Sequence, residues 1–206
     1  MCGMDLVGGI FIAVVFLYSV VIHEVSHGLI ARSLGDHTAE DMGRLTLNPL
    51  KHLDMFGSIL LPLFLVIIQS PFVFGYAKPV PYNPHNLRDR KYGPAKVAFA
   101  GPAVNLTLAV LFGLVLRFLP EFLGNSILPS LLGSIVQINL LLAIFNLMPI
   151  PPLDGHWLIL TFLPARFNAV KVFMVRYSMI LFLILLVFIF PLIYPLINLL
   201  FKLIVG

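Results

Sequence analysis

Charged residues are scarce in this chain. Asp, Glu, Lys and Arg together make up 11% of the 206 residues, whereas about a quarter would be charged in an ordinary soluble protein. Hydrophobic residues make up 60% of the chain, and the mean hydropathy is +1.02. This composition excludes the common soluble class and indicates an integral membrane protein.

Cysteine is also nearly absent. Cys2 is the only one, so no disulfide can form within the chain. No apolar segment precedes Cys2, and a processed lipoprotein cysteine is therefore not expected. Residues 6 to 22 are apolar but have no basic region ahead of them. We expect them to be retained as a spanning helix and not removed as a signal peptide.

Five uncharged stretches are each long enough to enter or cross about 30 Å of hydrocarbon. They cover residues 6 to 22, 55 to 77, 97 to 116, 122 to 153 and 177 to 201. Pro191 and Pro195 leave open whether the last stretch crosses once with a kink or turns back. The predicted fold is therefore an all-α polytopic membrane protein with five or six transmembrane helices. No internal repeat or linker is evident, so residues 1 to 206 are predicted to form a single domain.

Residues 23 to 27 read HEVSH and directly follow the first apolar stretch. On a helix His23 and His27 lie one turn apart on the same face, so both imidazoles can reach one metal ion. Glu24 lies beside them, where it can handle the proton of an attacking water. The alternative is a helix end whose His and Glu only meet lipid headgroups. Ionisable residues next to a membrane-length apolar run favour the functional interpretation.

A catalytic zinc ion usually takes three protein ligands, so the chain must supply one more. Asp154 is the strongest candidate because it closes a long apolar stretch in NLMPIPPLDGHW, residues 146 to 157. The prolines of this segment break helical hydrogen bonding, which is tolerated inside a membrane where the backbone lines a cavity. Asp154 could alternatively be the N-cap of a following helix. His156 is a weaker rival as ligand and a better candidate for a supporting group.

The depth of the ligands constrains the topology. His23 and Asp154 each follow a comparable length of apolar chain, so they can meet only if their two spans run in the same direction. Residues 97 to 116 then form the crossing between them, and residues 55 to 77 are predicted to be a re-entrant or β-hairpin-like membrane-associated region. Loops 32 to 54 and 75 to 96 fall on one side and are rich in Lys and Arg. The positive-inside rule predicts that this side, with the metal, faces the cytoplasm.

Three segments together resemble the site-2 protease family of intramembrane zinc metalloproteases. They are HEVSH, AGPAVN at residues 100 to 105 and NLMPIPPLDG at residues 146 to 155. The resemblance is to the small prokaryotic members, since no PDZ domain is inserted in the 75 to 96 region. It implies a multi-pass protein of a prokaryotic cell membrane that cleaves a peptide bond within or near a transmembrane segment of a protein substrate. It also implies one Zn²⁺ per chain held by His23, His27 and Asp154, with Glu24 as the catalytic glutamate.

Further roles are expected for two asparagines and one extended segment. Asn146 or Asn105 could donate to the developing oxyanion, although a helix-to-helix hydrogen bond is as good an interpretation of Asn105. Proline spacing predicts extended backbone at residues 78 to 84, which could bind an unwound substrate by strand addition. Partners are thus a transmembrane protein substrate and the lipid bilayer, and nothing points to nucleic acid. The main rival is a metal-binding transporter or sensor without proteolytic activity. A proteolytically inactive scaffold is disfavoured because every catalytic position is filled.

Overall fold

The computed structural model describes residues 6–69, 75–118 and 126–206. The helices in these ranges are α1 Leu6–Ser33, α2 Thr38–Asp41, α3 Leu61–Ile67, α4 Gly93–Phe118, α5 Leu128–Asn146, α6 Gly155–Phe162, α7 Asn168–Arg176, α8 Ser178–Ile184 and α9 Phe190–Val205. Single turns of 3₁₀ helix lie at Pro49–Lys51, Pro84–Asn86 and Ala165–Phe167, and π-helical turns at Met55–Leu60 and Leu185–Ile189. No strand occurs within the described ranges. The predicted all-α class is confirmed.

Within the described ranges, three helices, α1, α4 and α5, are long and apolar enough to cross a membrane. They contain 28, 26 and 19 residues, which correspond to about 42, 39 and 28 Å. A fourth span is reached if α7 and the helix Ser178–Phe188, which meet at a 76° bend, are counted as one. The predicted five or six spans are therefore not confirmed by the described part of the chain.

Helix α1 shows how composition produces a membrane span. It is apolar on every side, as expected for a helix whose outer surface meets lipid. Leu6 is 80% exposed and Val7 is 69% exposed. The buried residues of α1 are instead mixed in character: Ser19, Val21, His23, Val25, His27, Gly28 and Ala31. The polar side chains of Ser19, His23 and His27 thus turn inward, where other helices can satisfy them.

Helix α4 is at the centre of the structure and packs against α1, α5, α6 and α9. Its Ala109 joins Val136 and Leu140 of α5 and Ile193 and Ile197 of α9 in one buried apolar cluster. The small side chain of Ala109 lets these helices approach closely. This packing places the inward faces of α1, α4 and α5 against one another.

The predicted re-entrant region begins with a short apolar helix. The helical turns Met55–Leu60 and α3 together run to Ile67, which gives about 20 Å of helix and falls short of a bilayer core of about 30 Å. Residues 70–74, in the second half of the region, lie outside the described residues. The segments that precede and follow the region are in contact: Asn86 Nδ2 donates a hydrogen bond of 2.9 Å to Asp36 Oδ1. A re-entrant path remains a prediction.

We expect cysteines introduced singly at His37 and His85, in a Cys2→Ser background, to be labelled from the same membrane face. Both positions are exposed, and each is adjacent to one member of the Asp36 to Asn86 contact. A cysteine at Ile127, beyond the far end of α4, should be labelled from the opposite face. Labelling of positions 37 and 85 from opposite faces would contradict the re-entrant path.

Candidate metal centre

His23, His27 and Asp154 meet at one point in the interior. The two imidazoles lie on the buried face of α1, with their ring centroids 4.7 Å apart. Asp154 Oδ2 lies 3.0 Å from His23 Nε2 and 3.3 Å from His27 Nε2. One ligand atom from each of the three residues can be chosen so that all lie within 4.8 Å of one another. The spacing of HEVSH on a helix explains the histidine pair, whereas Asp154 is brought in by tertiary packing.

The outer nitrogens of both imidazoles are already engaged by oxygen acceptors. His23 Nδ1 lies 2.6 Å from Asn105 Oδ1, and His27 Nδ1 lies 2.7 Å from the carbonyl oxygen of Val97. Each Nδ1 therefore carries the proton and donates it, which leaves the Nε2 lone pairs free to bind a metal. Two neutral imidazoles and one carboxylate, with their free atoms converging, are a donor set that suits Zn²⁺.

Gly101 of α4 makes room for the two imidazoles. A Cβ atom at this position would lie 2.5 Å from both His23 Nε2 and His27 Nε2. No side chain other than hydrogen fits there without displacing the metal-facing atoms. The glycine of the AGPAVN segment thus has a steric role in the site, and this role was not predicted from the sequence.

Asn105 belongs to a buried polar network below His23. Its amide nitrogen donates to Asn139 Oδ1 at 2.8 Å and to the Ser19 carbonyl oxygen at 3.4 Å, and Asn139 Nδ2 donates to Ser19 Oγ at 3.0 Å. Both amide hydrogens of Asn105 are therefore used in contacts between helices, while its oxygen orients His23. Of the two interpretations of Asn105, the structure shows the helix-to-helix hydrogen bond.

Asp154 sits in the break between α5 and α6. It precedes α6, but its side chain makes no capping hydrogen bond and points to the two histidines instead. Gly155 packs so closely on the end of α5 that an added Cβ would clash with the carbonyl oxygens of Leu147 and Met148. His156 hydrogen-bonds the carbonyl oxygen of Leu153 and lies outside the group of convergent ligands found among the described residues.

Glu24 contacts the extended segment that follows the predicted re-entrant region. Its Oε2 accepts a hydrogen bond of 2.8 Å from the Val80 backbone N–H. Val80 is buried, and its side chain packs close to Gly28, one turn of helix after Glu24. The Glu24 carboxylate is thus held by a main-chain donor from a distant part of the chain. A backbone group of this kind has no sequence signal.

The extended segment is anchored on both sides of Val80. Before it, Arg44 Nη2 donates to the Lys78 carbonyl oxygen at 2.9 Å, and Lys78 N–H donates to the His52 carbonyl oxygen at 2.8 Å. After it, Asn83 N–H donates to Asp36 Oδ2 at 2.7 Å. Both Arg44 and Asp36 are buried. Residues 75–83 have no regular secondary structure, Asn83 has extended backbone dihedrals, and the 3₁₀ turn Pro84–Asn86 begins at the last residue of the predicted extended stretch. The segment is held by side chains and loops.

Asn146 is the last residue of α5 and lies just before the break that contains Asp154. Its Nδ2 donates to the carbonyl oxygen of Leu142 at 2.9 Å. A side-chain amide has two N–H donors, so one remains for a further acceptor. The assignment of an oxyanion role to Asn146 stays a prediction.

Comparison with known proteins agrees with this arrangement. The family model described as Peptidase family M50 matches residues 11–127, which is more than half of the chain. The Bacillus subtilis protein named "Putative zinc metalloprotease YwhC" is 35% identical over 184 residues, covering 86% of this chain and 80% of that protein. The Mycolicibacterium smegmatis protein named "Putative zinc metalloprotease Rip2" is 34% identical over 152 residues, covering 72% of this chain and 56% of that protein.

No solved structure matches the chain. The matched region contains HEVSH and AGPAVN, whose side chains build most of the site. Together with the alignment to the Bacillus subtilis protein, which extends over most of both chains, the match shows that this chain is a membrane metalloprotease belonging to peptidase family M50, the site-2 protease family that its motifs predicted.

Proposed function

We propose that this protein is an intramembrane zinc metalloprotease, which hydrolyses a peptide bond within or near a transmembrane segment of a membrane-bound substrate. The observation that carries the proposal is the convergence of His23, His27 and Asp154 on a buried point between apolar helices. A substrate helix would enter a hydrolytic site at this position laterally, from within the bilayer. One zinc ion per chain would be held by these three residues.

Zinc in such a site acts as a Lewis acid that makes water nucleophilic near neutral pH and polarises the scissile carbonyl. Glu24 is the general base: it takes a proton from the attacking water and later delivers it to the leaving amine. Asn146 donates the remaining amide hydrogen to the developing oxyanion. Asn105 and the Val97 carbonyl hold the imidazoles in the tautomer and orientation that the reaction requires.

Substrate binding is assigned to the extended segment around Val80. A helical amide is shielded by its own hydrogen bonds, so the substrate must unwind and find new partners. The N–H groups of Tyr76, Lys78 and Val80 are already used, and Pro79 and Pro81 have none. The carbonyl oxygens of Lys78 and Pro79 already accept from Arg44. The segment therefore binds substrate chiefly through the carbonyl oxygens from Val80 onward, which accept from the substrate main chain.

The orientation and extent of the protein are part of the same proposal. The whole chain acts as a single intramembrane domain, with residues 55 to 77 re-entrant and the active site toward the cytoplasmic side. The basic residues of the loops 32 to 54 and 75 to 96 support this orientation. A prokaryotic cell membrane is the proposed location.

The proposed function is tested by metal analysis of the purified protein beside a cleavage assay on a panel of model transmembrane substrates in liposomes. We expect about one zinc per chain and cleavage that is lost on chelation and restored by zinc. The rival function is metal transport, for which ionisable residues in a membrane are also suited. Zinc-loaded protein that cleaves no substrate, but moves zinc across liposomes in a Glu24-dependent way, would establish the rival.

A further inference from the structure

Tyr82 carries a buried hydroxyl group on the segment whose backbone holds Glu24. Among the described residues, three buried side-chain atoms have no hydrogen-bond partner: Arg44 Nε, His52 Nδ1 and the Tyr82 hydroxyl oxygen. Arg44 and His52 are each engaged through another nitrogen, Arg44 Nη2 and His52 Nε2. The Tyr82 hydroxyl is the only polar group of its side chain. Leaving such a group buried and unpaired destabilises the fold, so its placement calls for a functional explanation.

The backbone on either side of Tyr82 is held in place. Two residues earlier, Val80 N–H donates to Glu24, and one residue later, Asn83 N–H donates to Asp36. The Tyr82 ring packs against a buried cluster that contains Ala31, Leu87 and Val97. The carbonyl of Val97 is the acceptor for His27 Nδ1. The phenol is therefore fixed by the same elements that position Glu24 and His27.

The environment of the hydroxyl keeps it protonated. Burial, and after it the negative charge of Asp154, raise the pKa of Tyr82 to about 12. A neutral phenol is a hydrogen-bond donor throughout the working pH range.

We propose that Tyr82 is a further catalytic residue, whose hydroxyl donates a hydrogen bond to the oxyanion formed from the scissile carbonyl. This rests on the proposed peptide hydrolysis. As the water oxygen bonds to the carbonyl carbon, the π electron pair moves to the carbonyl oxygen, and Glu24 takes the water proton. Tyr82 keeps its own proton and stabilises the negative oxygen. When the C–N bond breaks, the carbonyl re-forms and the proton held by Glu24 passes to the amine nitrogen.

The role of Tyr82 differs from that of Asn146, because the two donors belong to different segments of the chain. Asn146 ends α5 next to the break that holds Asp154, whereas Tyr82 belongs to the segment that binds substrate. A donor on the binding segment stabilises the oxyanion only when the substrate main chain lies along that segment. Tyr82 thereby couples correct substrate placement to transition-state stabilisation.

The test is Tyr82→Phe in the full chain, with Tyr194→Phe as the matched control. Phe keeps the ring that packs in the cluster and removes only the hydroxyl. Tyr194 lies on α9, outside the metal centre and the substrate-binding segment, and is 65% exposed. We expect Tyr82→Phe to lower kcat about 100- to 1000-fold, as for loss of one oxyanion donor, with KM and zinc content unchanged. Tyr194→Phe should leave all three unchanged.

Binding measurements provide a readout independent of turnover. A peptide phosphinate, whose tetrahedral phosphorus carries a negative oxygen, should bind Tyr82→Phe more weakly than wild type by a comparable factor. An uncleaved substrate peptide should bind Glu24→Gln and the double variant Glu24→Gln, Tyr82→Phe equally.

Unchanged kcat and unchanged phosphinate affinity in Tyr82→Phe would overturn the role of Tyr82 and leave the proposed function intact. Loss of zinc would instead make the hydroxyl a support for the metal ligands, and also overturn the proposal. Wild-type protein that cleaves nothing would overturn the proposed function, and this role with it.

Discussion

Glu24→Gln is expected to reduce peptide hydrolysis by several orders of magnitude while the protein keeps its zinc and its substrate. Gln has the shape of Glu, and its carbonyl oxygen can still accept the hydrogen bond from Val80 N–H. It cannot accept a proton, so the attacking water loses its base and the leaving amine loses its proton donor. Single-turnover cleavage, zinc content and substrate affinity should be measured together, because only the first is expected to change.

Glu40→Gln is the control for this change. Glu40 pairs with Arg32 and His37 on the surface, with Glu40 Oε2 at 3.0 Å from Arg32 Nε and 2.8 Å from His37 Nδ1. Removing that charge should leave turnover unaltered, because exposed ion pairs contribute little. Glu24→Gln protein that still cleaves at the wild-type rate would show that another group is the base. Loss of zinc from it would mean that Glu24 helps to hold the metal.

Asp154→Ala is expected to lower the affinity for zinc by more than about 100-fold, since losing a group that only supports a metal ligand already lowers affinity about 10- to 100-fold. Two neutral imidazoles would remain, without the carboxylate that completes the set and balances part of the ion's charge. Zinc content after dialysis against a graded series of chelator concentrations measures the effect. Cleavage should disappear in step with the metal.

His156→Ala is the matched control for Asp154→Ala, because it removes a potential ligand two residues further along the same break. Its ring hydrogen-bonds the Leu153 carbonyl and stacks near Trp157, with the ring centroids 4.9 Å apart. Zinc affinity should therefore be nearly unchanged. If His156→Ala lost the metal and Asp154→Ala retained it, the third ligand would be reassigned to His156.

Much of the site was predictable because several of its residues lie close together along the sequence. Residues 23 to 27 place two imidazoles on one helix face by the geometry of the helix alone. The prolines around Asp154 indicated an interruption of the helix inside an apolar stretch, and the structure places the end of α5 there. The role of Asn105 was left open between two interpretations, since a lone Asn in an apolar helix has several equally good partners. The hydrogen bonds from its amide nitrogen to Asn139 and Ser19 resolved it.

The number of spans was less predictable, for a physical reason. Hydropathy measures how apolar a stretch is. It does not show where a helix bends or where its backbone hydrogen-bonding pattern changes. The uncharged stretch at residues 177 to 201 lies in helices that begin at a bend of 76° next to Tyr177 and pass through a π-helical turn at Leu185–Ile189. After the bend, Phe182 and Leu185 pack against Leu153, a contact between segments that hydropathy does not measure.

By itself the sequence determined the membrane class, the family, the histidine pair with its neighbouring glutamate and the aspartate expected to join them. These follow from composition and from residues close together along the chain, where helix geometry sets the distances. Only the tertiary structure decided what surrounds the ligands. The clearance at Gly101, the Val80 N–H on Glu24 and the buried hydroxyl of Tyr82 depend on segments far apart in sequence that are brought within a few ångströms by the packing of α1, α4 and the extended segment.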